Sequence, residues 1–257
     1  MNYQDDKRLL TASAVVPTIL VVAMWFVKMI EVVFHLDFSF LGVKPISLEG
    51  LPGIFLFHFI HGDWQHLFAN TVPILVLGSA LYYFYRPIAN KILLILIFSV
   101  GLLTWCMARD GVHIGASGLV YGLAFFLMLS GFIRRDRKLI IISLVVVFLY
   151  GSLIWGLYPK YAIENNISWE GHLSGFIMGI ILAIFYKNEV VSFGDGDESE
   201  DGNENEEGNE NEDGNENEDG NESEDGDADI DPETQRPYWD VPEPDKDELT
   251  VRYRFRR

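Results

Sequence analysis

One cysteine, Cys106, is all that the 257 residues contain, so no disulfide can close within the chain. It stands in an apolar run, where a free thiol is expected to serve as a small packing group. Metal-binding signatures are missing as well. His58-Phe-Ile-His61 lacks the glutamate of His-Glu-x-x-His, and neither an EF-hand loop nor a Gly-Gly-x-Gly-x-Asp nonapeptide occurs. A zinc peptidase or transporter built on His58, His61, His66 and His113 is therefore disfavoured, and no metal or organic cofactor is expected. No small-x-small cleavage site follows the first apolar run, which is too long for a signal-peptide core and reads as a retained anchor. Positive charge is scarce overall, 19 Lys and Arg against 37 Asp and Glu, and no nucleic-acid partner is expected.

The deficit belongs to one end of the chain. Before residue 190 there are 13 basic and 11 acidic residues; after it there are 6 and 26. Residues 191–235 form a Gly/Asn/Glu-rich stretch in which Gly202, Gly208, Gly214, Gly220 and Gly226 recur every six positions. Such a segment buries nothing and repels itself, so it reads as a disordered acidic linker with no assignable partner. Residues 236–257 end in Leu249-Thr-Val-Arg-Tyr-Arg-Phe-Arg-Arg257, a short basic segment patterned like a strand or a membrane-surface anchor.

Residues 1–190 are organised differently. Six apolar runs, near 11–34, 65–85, 90–108, 115–133, 138–157 and 169–187, approach the roughly 20 residues that cross a bilayer. Glu31 is the acidic side chain expected inside these spans, with Lys28 three residues away as a partner. With the N-terminus in the cytoplasm, nine Lys and Arg fall on inner segments and only Lys44, Arg109 and Lys160 on outer loops. That bias, with an even number of spans, predicts both termini on the cytoplasmic side. Residues 35–63 then make a long outer connection, apolar enough to lie in the interface.

Polar residues converge on this layout. Ser117 opens the fourth span between small neighbours in Gly115-Ala-Ser117-Gly118, and His172 opens the sixth in Gly171-His172-Leu-Ser-Gly175. His66 and Asn70, four apart at the start of the second span, share a helical face. At ~1.5 Å per residue all four lie within roughly 5–10 Å of the outer ends of their spans. Buried polar groups in a membrane are costly and usually face a cavity. A serine needs a base to become a nucleophile, and imidazole serves near neutral pH. Asn, His and backbone N–H groups can receive an oxyanion. Tyr121 lies on the face of Ser117 and can stack on the base. Ser174 reads as a packing residue, and His113, four before Ser117, is a rival base.

These motifs resemble the rhomboid family of intramembrane serine proteases over roughly residues 50–187, in order and in the six-span layout of the basic bacterial form. The resemblance implies an all-α polytopic membrane protein, a six-transmembrane-helix bundle carrying the acidic tail. It implies Ser117 as nucleophile, His172 as base, His66 and Asn70 as oxyanion residues, and Tyr121 stacked under the base. Gly115, Gly118, Gly171 and Gly175 are the motif glycines, and His61 matches a position that shapes the outer cavity and its water. Substrates would be transmembrane proteins within the lipid bilayer, and the fifth span, with Gly151 and Gly156, matches the element thought to move for their access. A Trp-Arg pair, common in the family's first outer loop, is absent here. The alternative is an inactive relative that binds membrane-protein clients.

Overall fold

The computed structural model describes residues 3–160 and 167–189; the acidic stretch 191–235 and the basic segment 236–257 lie outside the described residues. The chain is helical: α1 (Tyr3–Phe34), α2 (Gly53–Leu56), α3 (Trp64–Phe84), α4 (Ala89–Met107), α5 (Ser117–Arg134), α6 (Arg137–Tyr150) and α7 (Trp169–Phe185). Among the described residues, Val43 and His113 form an isolated antiparallel bridge and no strand is present. Among the described residues, five helices are long and apolar enough to cross a membrane: α1, α3, α4, α5, and α6 continued through the 3-10 segment Gly151–Leu157. At 17 residues, the apolar helix α7 is shorter. The protein is an integral membrane protein.

Helix ends fall near the expected positions, with two informative differences. The first helix starts at Tyr3 rather than near residue 11, because a helix can continue through a polar turn that an apolar-run criterion does not register. The fifth run changes to 3-10 geometry at Gly151, where a glycine weakens helical continuity. Cys106 is exposed on α4 and does not pack as expected.

The helix at the centre is α5. Its span is 67% buried, against 22–33% for the other four membrane-length helices. Glycine sets its approach to α7. A Cβ at Gly118 would lie 2.8 Å from the Gly171 carbonyl oxygen, one at Gly175 would collide with the Gly118 carbonyl, and one at Gly179 would reach 2.7 Å from the Gly122 carbonyl oxygen. Small residues thus let two backbones meet where side chains would hold them apart. At the far end of the pair, Arg134 donates to the carbonyls of Tyr186 and Glu189 and lies 5.4 Å from the Tyr85 ring centroid.

The connection 35–63 is fastened without a Trp-Arg pair. Lys28 pairs with Glu31 at 3.1 Å and donates to the carbonyls of His61 and Gly62 at 2.9 and 3.0 Å. Glu31 in turn accepts from the Phe38 amide at 2.9 Å. Trp105 Nε1 donates to the Ser47 carbonyl at 2.9 Å, and Gly101 leaves room for the Ile54 carbonyl against α4. Phe40, Ile46, Leu48 and Phe55 remain exposed, an apolar surface suited to the membrane interface.

Two histidines lie buried in this connection. His58 Nε2 donates to the Ile97 carbonyl at 2.9 Å, whereas neither ring nitrogen of His61 makes a well-formed hydrogen bond within the protein. Burial lowers the pKa of His58 to about 4. Burial, reinforced by the neighbouring His66, lowers that of His61 to about 3.

Two outcomes are expected of purified protein. Gly175→Val should destabilise the bundle by about 1–3 kcal/mol through overpacking, while Gly151→Ala, which meets only Val147 Cγ1 at 3.9 Å, should leave the thermal midpoint near wild type. Equal midpoints would contradict the close-approach account. The second concerns acid. An unfolded histidine gains its proton near pH ~6.5, but these two stay neutral in the fold well below that. Stability should therefore fall as pH drops from about 6.5 toward 4, because the unfolded chain binds the extra protons. His61→Gln should make that fall shallower, and an unchanged slope would count against the burial of a neutral His61.

Candidate active site

Ser117 is the first residue of α5, and the geometry just before it is special. Gly115 has φ +109°, a left-handed conformation that favours glycine, and its amide donates to the Phe57 carbonyl at 2.8 Å. A Cβ there would sit 2.5 Å from Cε1 and 2.7 Å from Nε2 of His66, so the imidazole occupies the space a side chain would need. The sequence Gly-Ala-Ser-Gly thus does two local jobs. Its first glycine lets the chain turn beneath His66, and Gly118 lets α7 approach one residue past the hydroxyl.

His172 lies in the first turn of α7 and is 5% exposed. Its Nε2 is 2.9 Å from Ser117 Oγ, and its Nδ1 is 3.0 Å from the Gly156 carbonyl oxygen. A carbonyl can only accept, so Nδ1 carries the hydrogen and the lone pair of neutral imidazole resides on Nε2, facing the hydroxyl. Tyr121 lies flat against the ring, centroids 4.1 Å apart and planes 10° apart, and its hydroxyl donates to the Leu153 carbonyl. Gly156 is required here: a Cβ would strike the Tyr121 hydroxyl and come within 3.0 Å of His172 Nδ1. The structure therefore brings together Ser117, His172 and Tyr121, and adds two backbone acceptors from the 3-10 segment after α6. Sequence reasoning missed those acceptors, since any residue supplies a carbonyl; the glycine at 156 was their one trace.

The other expected residues are distributed around this contact. His66 and Ser117 line the same open cavity of about 690 Å³, with Gln65, Arg109, Asp110 and Ser168 on its walls. Asn70 is buried and its amide donates to the His66 carbonyl at 3.1 Å, leaving a second N–H. His61 packs edge-on to His66, with centroids 5.0 Å apart, behind the cavity wall. His113 is committed elsewhere. Its Nε2 donates to the Arg109 carbonyl at 2.9 Å, and Nδ1 accepts from the Ser168 hydroxyl at 2.7 Å. Ser174 is fully buried and donates to the Glu170 carbonyl at 2.8 Å, in keeping with a packing role.

Glu31 is not the only acid within the helices. Glu170, in the first turn of α7, is 2% exposed and bonded to Arg109 at 2.9 Å. Its place at the edge of the last apolar run gave no sign of burial. Among the described residues, no group of three His, Cys, Asp or Glu side chains is arranged to hold a metal ion.

Comparisons with known proteins agree with this architecture. A profile of the Rhomboid domain matches residues 50–189, from the middle of the first connection through α7. An uncharacterized protein of Mycobacterium tuberculosis (strain H37Rv) is 33% identical over 174 residues, covering 63% of this chain and 70% of that protein. An uncharacterized protein of Mycobacterium leprae is 33% identical over 172 residues, covering 62% of this chain and 66% of that one. RHOMBOID-like protein 5 of Arabidopsis thaliana is 26% identical over 132 residues, covering 49% of this chain and 42% of its own. With the domain profile spanning more than half of its length and the helical bundle laid out as described, this chain belongs to the rhomboid family.

Proposed function

We propose that the protein is an intramembrane serine endopeptidase that hydrolyses peptide bonds in or near the transmembrane segments of other membrane proteins. The observation that carries this reading is the 2.9 Å contact between His172 Nε2 and Ser117 Oγ, with the imidazole's other nitrogen committed to a carbonyl. In that tautomer the base takes the hydroxyl proton as Oγ attacks the scissile carbonyl. The resulting imidazolium keeps its Nδ1–H on the Gly156 carbonyl and returns the other proton to the leaving amine. Water from the open cavity then hydrolyses the acyl-enzyme by the same steps in reverse. As first residue of α5, Ser117 brings its amide to a helix N-terminus, where N–H groups lack intrahelical acceptors and stabilise negative charge. His66 and the second amide N–H of Asn70 are the side-chain donors for the oxyanion. No step calls on a metal or organic cofactor.

In the same reading, α1, α3–α6 and α7 cross the bilayer as six spans with both termini in the cytoplasm, so the Ser117 end opens outward. Loop charge supports this orientation. Reconstituted protein should cleave a single-span reporter near the outward end of its helix. Ser117→Ala and His172→Ala should each lower the rate by at least about 10³-fold while retaining the wild-type thermal midpoint. Full cleavage by either folded variant would end the proposal, and fragment masses placing the cut at the cytoplasmic end would reverse the orientation.

A further inference from the structure

Two short segments lead into the paired side chains: the connection 108–116 into Ser117, and residues 167–168 with the start of α7 into His172. They are bonded directly to each other. Arg109 Nη1 lies 2.9 and 3.1 Å from the two carboxylate oxygens of Glu170, and Nη2 donates to the Ile167 carbonyl at 3.2 Å. The Ser168 hydroxyl donates to His113 Nδ1 at 2.7 Å while its oxygen accepts from the Gly171 amide at 3.2 Å, and so caps α7. His113 Nε2 closes the network on the Arg109 carbonyl at 2.9 Å. His113 and Ser168 each stand four residues before Ser117 and His172 respectively, and Glu170 stands two before His172.

Glycine contacts fix how close α5 and α7 come, but such contacts leave sliding along the helix axes and rotation of the first turn comparatively free. A directional ion pair and hydrogen bonds at the very ends of both helices restrict those motions. Glu170 is buried and its charge is met by one guanidinium, so this contact is costly to rearrange. We propose that Arg109 and Glu170, assisted by His113 and Ser168, are positioning residues that hold Ser117 Oγ and His172 Nε2 in register. This inference rests on the endopeptidase reading, since it assigns the network a role in that reaction. None of the four transfers the proton; they act through the two residues that do.

The test is steady-state cleavage of a transmembrane reporter by reconstituted wild type, Glu170→Gln, Arg109→Gln and the double variant, with thermal midpoints measured alongside. The amide of Glu170→Gln nearly matches the carboxylate in size but forms only a weak bond to arginine. Its kcat should fall about tenfold or more with KM within twofold, and Arg109→Gln should behave alike. The double variant should be no slower than either single one, because each breaks the same contact. Arg109→Lys, which keeps a charge opposite Glu170, should recover part of kcat. Wild-type kcat in the folded single variants would overturn the inference, as would multiplicative losses in the double variant. A kcat loss that merely tracks a fallen thermal midpoint, with no recovery by Arg109→Lys, would also overturn it. Failure of the endopeptidase reading looks different: wild type would then cleave no faster than Ser117→Ala.

Discussion

The closest approach of α5 and α7 is the constraint on which the rest of this structure depends. Their side chains cannot bridge a wide gap, since a serine hydroxyl lies only one bond beyond Cβ. For Ser117 to meet an imidazole on another helix, the two backbones must nearly touch. Gly118, Gly175 and Gly179 make that possible, each by lacking an atom that would strike the opposing helix. In lipid, where apolar surface is not driven from its solvent, such van der Waals contact is itself a main source of helix association. The packing that holds the bundle together is therefore also what sets the Ser117–His172 distance.

A second consequence concerns how a histidine is oriented without a carboxylate. In soluble serine hydrolases an acid commonly holds the far nitrogen of the base. Here the far nitrogen faces the Gly156 carbonyl and the ring lies on Tyr121, whose own hydroxyl is tied to Leu153. A neutral acceptor avoids placing an additional buried charge near the membrane, which would be expensive unless paired. The buried acid nearby, Glu170, stands two residues before His172 and is paired with Arg109. The buried charge is thus met by a guanidinium, while the imidazole is held by a neutral carbonyl that fixes its tautomer.

Much of the fold was legible in the sequence because membrane-length apolar runs are a strong signal, and five of the six resolved into helices long enough to span. Ser117 and His172 stood out for the same reason, as polar residues between small neighbours in apolar surroundings. What the residues could not convey was contact made through the backbone. The carbonyls of Gly156 and Leu153 have no identity in a sequence, and only the absence of a Cβ at Gly156 marks their closeness. Burial at a helix end was equally hidden. Glu170 occupies a position where a charge could as easily face water, and its pairing depends on Arg109, 61 residues earlier in the connection before α5. Cys106 shows the converse, an apolar neighbourhood that turned out to be the outside of a helix.

The central claim is that His172 activates Ser117 for attack on a carbonyl. Labelling the protein in a lipid bilayer with a fluorophosphonate, followed by mass mapping of the peptide that contains residues 115–122, reads that claim directly. The account predicts a single adduct on Ser117 in the wild type and its loss in His172→Ala. An adduct on a different residue, or undiminished labelling of Ser117 without His172, would contradict it.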